Sequence, residues 1–157
     1  MKRNALLLVA GALAFGLIAV GCGGNDDESS STGTESSTTA LTKTEFLQKG
    51  NAICKAGNQE INQAFNSIQG NPTQAQAEQI VTDSIVPSVQ GQIDDIRALG
   101  APAGDEDQVN QILDDAQAAN DQVKADPSLA VQQKSDPFAK ANQEATAYGL
   151  TECGSSD

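Results

Sequence analysis

The chain has 157 residues and a mass of 16.2 kDa, a length that allows one folded domain and two only with difficulty. Its 9 basic and 21 acidic side chains give a formal net charge of -12, which argues against binding to nucleic acid and against electrostatic docking on an anionic membrane surface. The sequence contains no His, so the most common general base and the most common transition-metal ligand are missing.

Residues 1–21 have the pattern of an export signal. Lys2 and Arg3 form a short positive start, and a long uncharged apolar stretch follows them. The stretch ends in Ala19-Val20-Gly21-Cys22, which resembles a bacterial lipobox. The resemblance implies that residues 1–21 are removed. Cys22 would then carry a diacylglycerol and become the first residue of the mature chain.

Two alternatives to lipidation at Cys22 stay open. Ala19-Val20-Gly21 is also an acceptable cleavage site for ordinary secretion, which would leave Cys22 as a free thiol. The apolar stretch is also a candidate transmembrane anchor, but it is short for a membrane span. Lipidation is the favoured hypothesis, and each buried CH₂ of an acyl chain contributes about 0.8 kcal/mol to anchoring. It predicts a protein held at the extracytoplasmic face of a cell membrane.

The segment 22–40 combines the lipidated Cys with a predicted disordered tether. Residues 23–40 contain no large apolar side chain, so nothing in them offsets the entropy cost of ordering. A Gly/Ser/Thr-rich coil of this length spans roughly 20–25 Å on average, enough to lift a domain off the lipid headgroups. Asp26, Asp27 and Glu28 suggest either a metal site or a solvated acidic spacer, and the spacer is favoured.

The first predicted helix begins at Thr42 and runs to about Ile68. Thr42 and Glu45 have the spacing of a capping box. Gly50 and Gly57 lie near the apolar stripe of this helix, where they either let another helix approach closely or weaken this helix by up to about 1 kcal/mol each. The stripe contains residues at helical spacing: Phe46, Ile53, Ile61, Ala64, Phe65 and Ile68.

The second predicted helix extends from Asn71-Pro72-Thr73 to the stop at Gly100, with Pro72 suited to the first helical position. Pro87 lies in its middle. Because Pro lacks a backbone donor and clashes with the preceding turn, we expect a kink or break near Val86. A structural bend is favoured over a functional hinge.

The third predicted helix is capped by Asp105 and ends at Asp126-Pro127. One short turn is expected within residues 128–134. The last helix is predicted from Asp136-Pro137 to a stop at Gly149, with an apolar residue after the stop.

These elements predict an all-α domain over residues 41–157. No segment shows the sustained alternation of a strand. Four helices with short connections favour an up-down four-helix bundle, with the second helix kinked or broken near Pro87. The core is thin, so its burial alone leaves modest stability.

Cys54 and Cys153 are predicted to form a disulfide. They remain as an even pair in an exported chain once Cys22 is lipidated. A bridge between them would fasten the end of the chain to the middle of the first helix. The rival hypothesis is a reactive thiol at Cys54, but the chain contains neither a CxxC motif nor a His base to activate it.

Short motifs in the domain are similar to those of a type of small exported lipoprotein seen in actinobacteria. They are Ala52-Ile53-Cys54, the stretch Ile96-Arg97-Ala98-Leu99-Gly100-Ala101-Pro102, Tyr148-Gly149-Leu150 and Cys153. The resemblance covers roughly residues 41–154. It implies a helical fold and an extracytoplasmic location, and it carries no assigned activity.

Two functional hypotheses follow. The first is a non-enzymatic binding or envelope-interaction module whose partner is an unknown envelope protein or glycan. The second is a carrier of a small apolar ligand, with a cavity in the helical bundle opened by Pro87, Gly50 and Gly57. An apolar cavity of several hundred Å³ would favour the second hypothesis, and a tightly filled core would remove it.

No catalytic, cofactor or metal site is predicted. Acid–base catalysis needs two carboxylates with separated pKa values in one cleft, and the acidic residues lie mainly at helix starts and on polar faces. Asp105, Glu106 and Asp107 lack the ligand alternation and the Gly of an EF-hand loop, and the helix dipole explains them. Tyr148, next to a helix stop, is expected in the core.

Overall fold

The computed structural model describes residues 40–68, 70–132 and 136–155, and all regular secondary structure in these ranges is helical. The helices are α1 (Lys43–Asn66), α2 (Gln74–Ile80), α3 (Val86–Leu99), α4 (Glu106–Ala125), α5 (Ser128–Val131) and α6 (Ala139–Tyr148), and a π-helical segment, Val81–Ile85, joins α2 to α3. The predicted all-α class is therefore confirmed, whereas the up-down order of a four-helix bundle stays a prediction. The predicted export signal, Cys22 and the tether before Ala40 lie outside the described residues.

The start of α1 matches its prediction. The Thr42 hydroxyl accepts a hydrogen bond from the Glu45 backbone N–H at 3.3 Å, and the Thr42 backbone N–H donates to the Glu45 carboxylate at 3.0 Å. These bonds complete a capping box. The Thr42 hydroxyl also donates to the Glu45 carboxylate at 2.7 Å, and this bond, followed by that from the Thr42 backbone N–H, lowers the pKa of Glu45. The helix ends at Asn66, two residues before the predicted Ile68, and the Ser67 hydroxyl donates to the carbonyl of Ala64 at 2.7 Å.

The start of α2 corrects the expectation for Pro72. Thr73 is the N-cap, with Gln76 completing a second capping box, so Pro72 precedes the cap and does not occupy the first helical position. The Thr73 side chain accepts from a backbone N–H that has no partner inside the helix, which Pro72 cannot do. Pro72 therefore lies outside the helix, directly before the N-cap residue Thr73.

The interruption predicted near Val86 is confirmed as a change of helical hydrogen bonding. The 5 residues Val81–Ile85 are π-helical, and the Val86 N–H donates to the carbonyl of Val81, five residues earlier. Pro87 lies in the first turn of α3 and is exposed. Because Pro87 has no N–H, the α-helical pattern cannot pass through it unchanged, and a π turn just before it accommodates the loss.

The largest apolar core lies between α1, α3, α4 and α6. Its largest members include Phe46, Ile93, Ile96, Ile112, Leu113 and Tyr148. The Phe46 and Tyr148 rings meet edge to face with centroids 6.2 Å apart, an arrangement that aromatic pairs prefer. A smaller cluster of Val81, Val86 and Val123 forms where the π segment meets α4.

The last helix begins at Ala139, three residues after the predicted start at Asp136-Pro137, because the Asp136 carboxylate accepts from the Phe138 N–H at 2.8 Å in the turn before it. The predicted stop at Gly149 is confirmed. Gly149 has φ +112°, and the Leu150 N–H donates to the carbonyl of Ala145 at 2.8 Å. This hydrogen bond is that of a Schellman cap, and it turns the chain back toward α1.

Both glycines of α1 permit close approach, but only at Gly57 is the approaching element another helix, as expected. A Cβ atom at Gly50 would lie 2.6 Å from Leu150 Cδ2, so the chain after α6 lies directly on this face of α1. A Cβ atom at Gly57 would collide with the Gln92 side chain of α3. Gly57 also accepts a hydrogen bond through its carbonyl from the Ser88 hydroxyl at 3.3 Å, which adds a second link between α1 and α3.

Candidate functional site

A cavity of about 560 Å³ lies among the helices. Its walls come from α1, the end of the π segment, α3, α4, α5, α6 and the chain that follows α6. This volume lies within the range of roughly 300–1,000 Å³ that is typical of small-molecule sites. The space is partly open to solvent, and buried side chains of the apolar core form part of its wall.

Most of the cavity wall is aliphatic or aromatic. Val89 and Ile93 of α3, Ile112 and Ala116 of α4, and Phe138 directly before α6 contribute to it. These residues come from the apolar stripes of separate helices, which converge on one space. A ligand in this space would gain about 25 cal/mol for each Å² of apolar surface that it removes from water, so the site suits an apolar molecule.

The Cys54–Cys153 disulfide forms part of the cavity wall. The predicted bridge is confirmed: a disulfide joins Cys54 and Cys153, with their Cα atoms 4.9 Å apart. Both cysteines line the cavity together with Leu150 and Ser155. The residues after α6, Gly149–Ser155, which we call the C-terminal segment, are thus covalently attached to α1 and close one side of the space.

Two Asn side chains of α1 hold the same C-terminal segment. Asn51 donates to the carbonyl of Gly149 at 3.0 Å and accepts from the N–H of Glu152 at 2.9 Å. Asn58 donates to the carbonyl of Glu152 at 2.8 Å. Neither Asn was predicted from the sequence to have this role, although Asn51, Cys54 and Asn58 are spaced by three and four residues and therefore share one helical face.

The polar part of the cavity wall is small and consists mainly of uncharged side chains. Asn58, Gln92, Asn142 and Ser155 line it, together with one carboxylate, Asp136. A few polar groups within an otherwise apolar pocket are typical of sites that orient a ligand.

The cavity does not arise from the residues that were expected to open it. Pro87 is exposed, and neither Pro87, Gly50 nor Gly57 belongs to the cavity wall. Both glycines instead remove space, because Leu150 and Gln92 fill the room that their missing side chains leave. That part of the carrier hypothesis was wrong. The apolar part of the cavity wall comes instead mainly from residues of α3, α4 and α6, with others from α1 and α5.

Asp105 has a different role from the one predicted. It occupies the N-cap position of α4, but its side chain makes no capping hydrogen bond. Its carboxylate accepts from the Tyr148 hydroxyl at 2.8 Å and contacts Lys43 Nζ at 3.2 Å. The hydrogen bond from Tyr148, followed by that from Lys43, lowers the pKa of the Asp105 carboxyl. The three side chains join the ends of α1, α4 and α6.

Tyr148 is buried, as predicted, and it acts as a hydrogen-bond donor. Burial, followed by the bond to Asp105, raises the pKa of its phenol. Lys43 Nζ lies 4.1 Å from the centroid of the Tyr148 ring, within reach of a cation–π interaction. With a raised pKa the phenol stays protonated at neutral pH, and its hydroxyl is engaged in linking helices.

A second ionic contact joins α4 to α6. Lys140 Nζ lies 2.8 Å from the Asp115 carboxylate and 3.8 Å from that of Glu144. The hydrogen bond between Lys140 and Asp115 lowers the pKa of Asp115 and raises that of Lys140. This pair does not line the cavity, so the contact fixes the helices without entering the candidate site.

Comparison of the chain with protein-family models, curated proteins and solved structures found no match. Among the helices of residues 40–155 that the structure describes, none is both long enough and apolar enough to cross a membrane.

Proposed function

We propose that this protein is a lipid-anchored, extracytoplasmic binding module whose helical cavity holds a small apolar ligand. The single observation that carries the proposal is the cavity of about 560 Å³ with its predominantly apolar wall. Apolar side chains line this pocket. Replacing the water there by an apolar ligand removes apolar surface from water and lowers the free energy of the system. Binding, and not catalysis, is the role we assign to it.

The compartment proposed for this module is supported by the disulfide. Bridges such as Cys54–Cys153 form and persist in oxidising environments outside the cytoplasm. The lipobox-like Ala19-Val20-Gly21-Cys22 adds a reason for the module to stay at a membrane after export. An anchored carrier would meet apolar molecules where they are most concentrated, at the lipid surface. An envelope protein or glycan as a further partner belongs to the same proposal.

A substitution that fills the cavity tests the binding function. Ala116 is half-buried on α4 and lines the cavity, so Ala116→Phe should place an aromatic ring inside it. We expect the affinity of the full chain for Nile red, an uncharged apolar dye, to fall at least about tenfold, which corresponds to about 1.4 kcal/mol. Fluorescence titration measures this affinity directly.

The matched control uses the same substitution on the same helix. Ala118 is exposed on α4 and does not line the cavity, so Ala118→Phe should bind the dye as the unchanged protein does. Circular dichroism of both variants establishes that each is folded. Equal dye affinity for the unchanged protein and the Ala116→Phe variant, or no dye binding by the unchanged protein, would contradict the proposal.

The anchor is tested separately, by mass spectrometry of the protein extracted from membranes. We expect the mature chain to begin at Cys22 and to carry added mass from acyl chains. Cys22→Ser should move the protein from the membrane fraction to the soluble fraction or leave it with an uncleaved signal. A native product that begins at another residue, without acyl groups, would remove the anchor and leave the cavity proposal standing.

A further inference from the structure

We infer that the cavity selects an uncharged amphiphile, with a hydroxyl or amide head group, over an anionic one such as a fatty acid. This inference rests on the proposed function and specifies the chemical class of its ligand. Three features of the cavity support it: the charges in its wall, a carboxylate just before α6, and uncharged polar side chains that a head group can bond to.

Asp136 is the one ionisable side chain among the described residues of the cavity wall. No Lys or Arg accompanies it in that part of the wall. Against the described part of the wall, a carboxylate head group would lose water without gaining a cationic partner, which is unfavourable. It would also approach the negative charge of Asp136, an exposed residue of the wall.

The start of α6 is the feature of the wall best suited to an anion, because the first backbone N–H groups of a helix lack intrahelical partners and carry partial positive charge. Asp136 lies just before this position. Its carboxylate accepts from the N–H of the N-cap residue Phe138 at 2.8 Å, and both residues line the cavity. The chain thus places a negative charge of its own beside the point where an anionic ligand would otherwise bind.

Several cations of the domain are also engaged with carboxylates of the chain. Lys140 contacts Asp115 at 2.8 Å, and Lys43 contacts Asp105 at 3.2 Å. Neither cation lines the cavity. An anionic ligand would have to compete with these internal ion pairs to recruit either Lys.

Uncharged polar groups are available for a neutral head group. In the part of the chain that the structure describes, Gln92 and Asn142 line the cavity and their side-chain amides have no hydrogen-bond partner. Both side chains are half-buried, from α3 and α6 respectively. An amide offers both donors and an acceptor, which match a hydroxyl or amide head group without any charge.

The test compares two ligands with the same alkyl chain, dodecanol and dodecanoate, as competitors of Nile red on the full chain. The titrations are carried out at neutral pH and about 0.15 M salt, which limits the effect of distant surface charges. Both competitors are kept below the concentration at which they self-associate. We expect dodecanol to displace the dye with an apparent affinity at least about tenfold higher than that of dodecanoate.

Two matched variants locate the source of the selectivity. Asp136→Asn keeps an oxygen that can accept from the Phe138 N–H but removes the charge. It should therefore reduce the ratio of the dodecanol affinity to the dodecanoate affinity at least about threefold. Asp95→Asn removes the same charge from an exposed position of α3 outside the cavity wall and should leave this affinity ratio unchanged.

The possible outcomes separate this inference from the proposed function. Equal displacement by dodecanol and dodecanoate would overturn the inference, while the binding function would stand. An equal reduction of the affinity ratio by both variants would also overturn the inference, because the selectivity would then come from overall charge and not from Asp136. Failure of the dye itself to bind would instead refute the proposed function.

Discussion

Replacing Cys54 by Ser should lower the melting temperature of the oxidised protein by roughly 15–30 °C. The two cysteines are 99 residues apart in the sequence. The chain-entropy model gives about 4–5 kcal/mol for closing a loop of that length, as an upper figure because residual structure in the unfolded chain reduces it. Domains of this size have a total stability of about 5–15 kcal/mol, so the bridge contributes a large part of it.

Reductant provides the internal control for this experiment. The unchanged protein in reductant should melt close to the Cys54→Ser variant, and the variant should respond little to reductant, because neither then contains the bridge. Cys22→Ser, the same substitution outside the described residues, should leave the melting temperature unchanged. Differential scanning calorimetry in both conditions gives all of these values. Equal melting of the unchanged protein and the Cys54→Ser variant in oxidant would show that the bridge does not support the fold.

Local patterns predicted the helices well because each pattern depends on only a few neighbouring residues. Thr42 and Glu45 satisfy backbone groups within one turn, and Gly149 can adopt a left-handed conformation that other residues rarely adopt. The disulfide was also predictable, since Cys54 and Cys153 were the pair left over once Cys22 was assigned to lipid. The interruption at Pro87 followed from its missing donor, although its form, a π turn, depends on packing against α4.

Neither the cavity nor the polar residues in its wall could be predicted from the same patterns. An apolar stripe shows which face of a helix is buried, but the depth to which facing stripes interlock depends on the spacing and angles of the helices. Ile112 and Val89 would have the same periodicity in a filled core as they have beside a cavity. The expectation for Asp105 failed for a similar reason, because Tyr148 lies 43 residues away and becomes its partner only in the folded chain.

Replacing Leu150 by Ala should reduce the free energy of unfolding by about 3–5 kcal/mol, in the upper part of the range for buried Leu→Ala changes. Leu150 is 1% exposed, lies directly on Gly50 and lines the cavity. The cost of such a change depends on how far the surroundings can collapse into the vacated space. Here the bonds from Asn51 and the disulfide hold the C-terminal segment in place, so little collapse is possible.

Urea unfolding at equilibrium measures this loss, with Leu99→Ala as the control. Leu99 packs against the same core but is only half-buried at the end of α3, so its truncation should cost less than about 2 kcal/mol. Because Leu150 also borders the candidate site, an apolar ligand that binds the folded state should restore part of the lost stability, by about 2.7 kcal/mol at a hundredfold excess over its dissociation constant. A loss for Leu150→Ala no larger than that for Leu99→Ala would mean that the C-terminal segment does not complete the core.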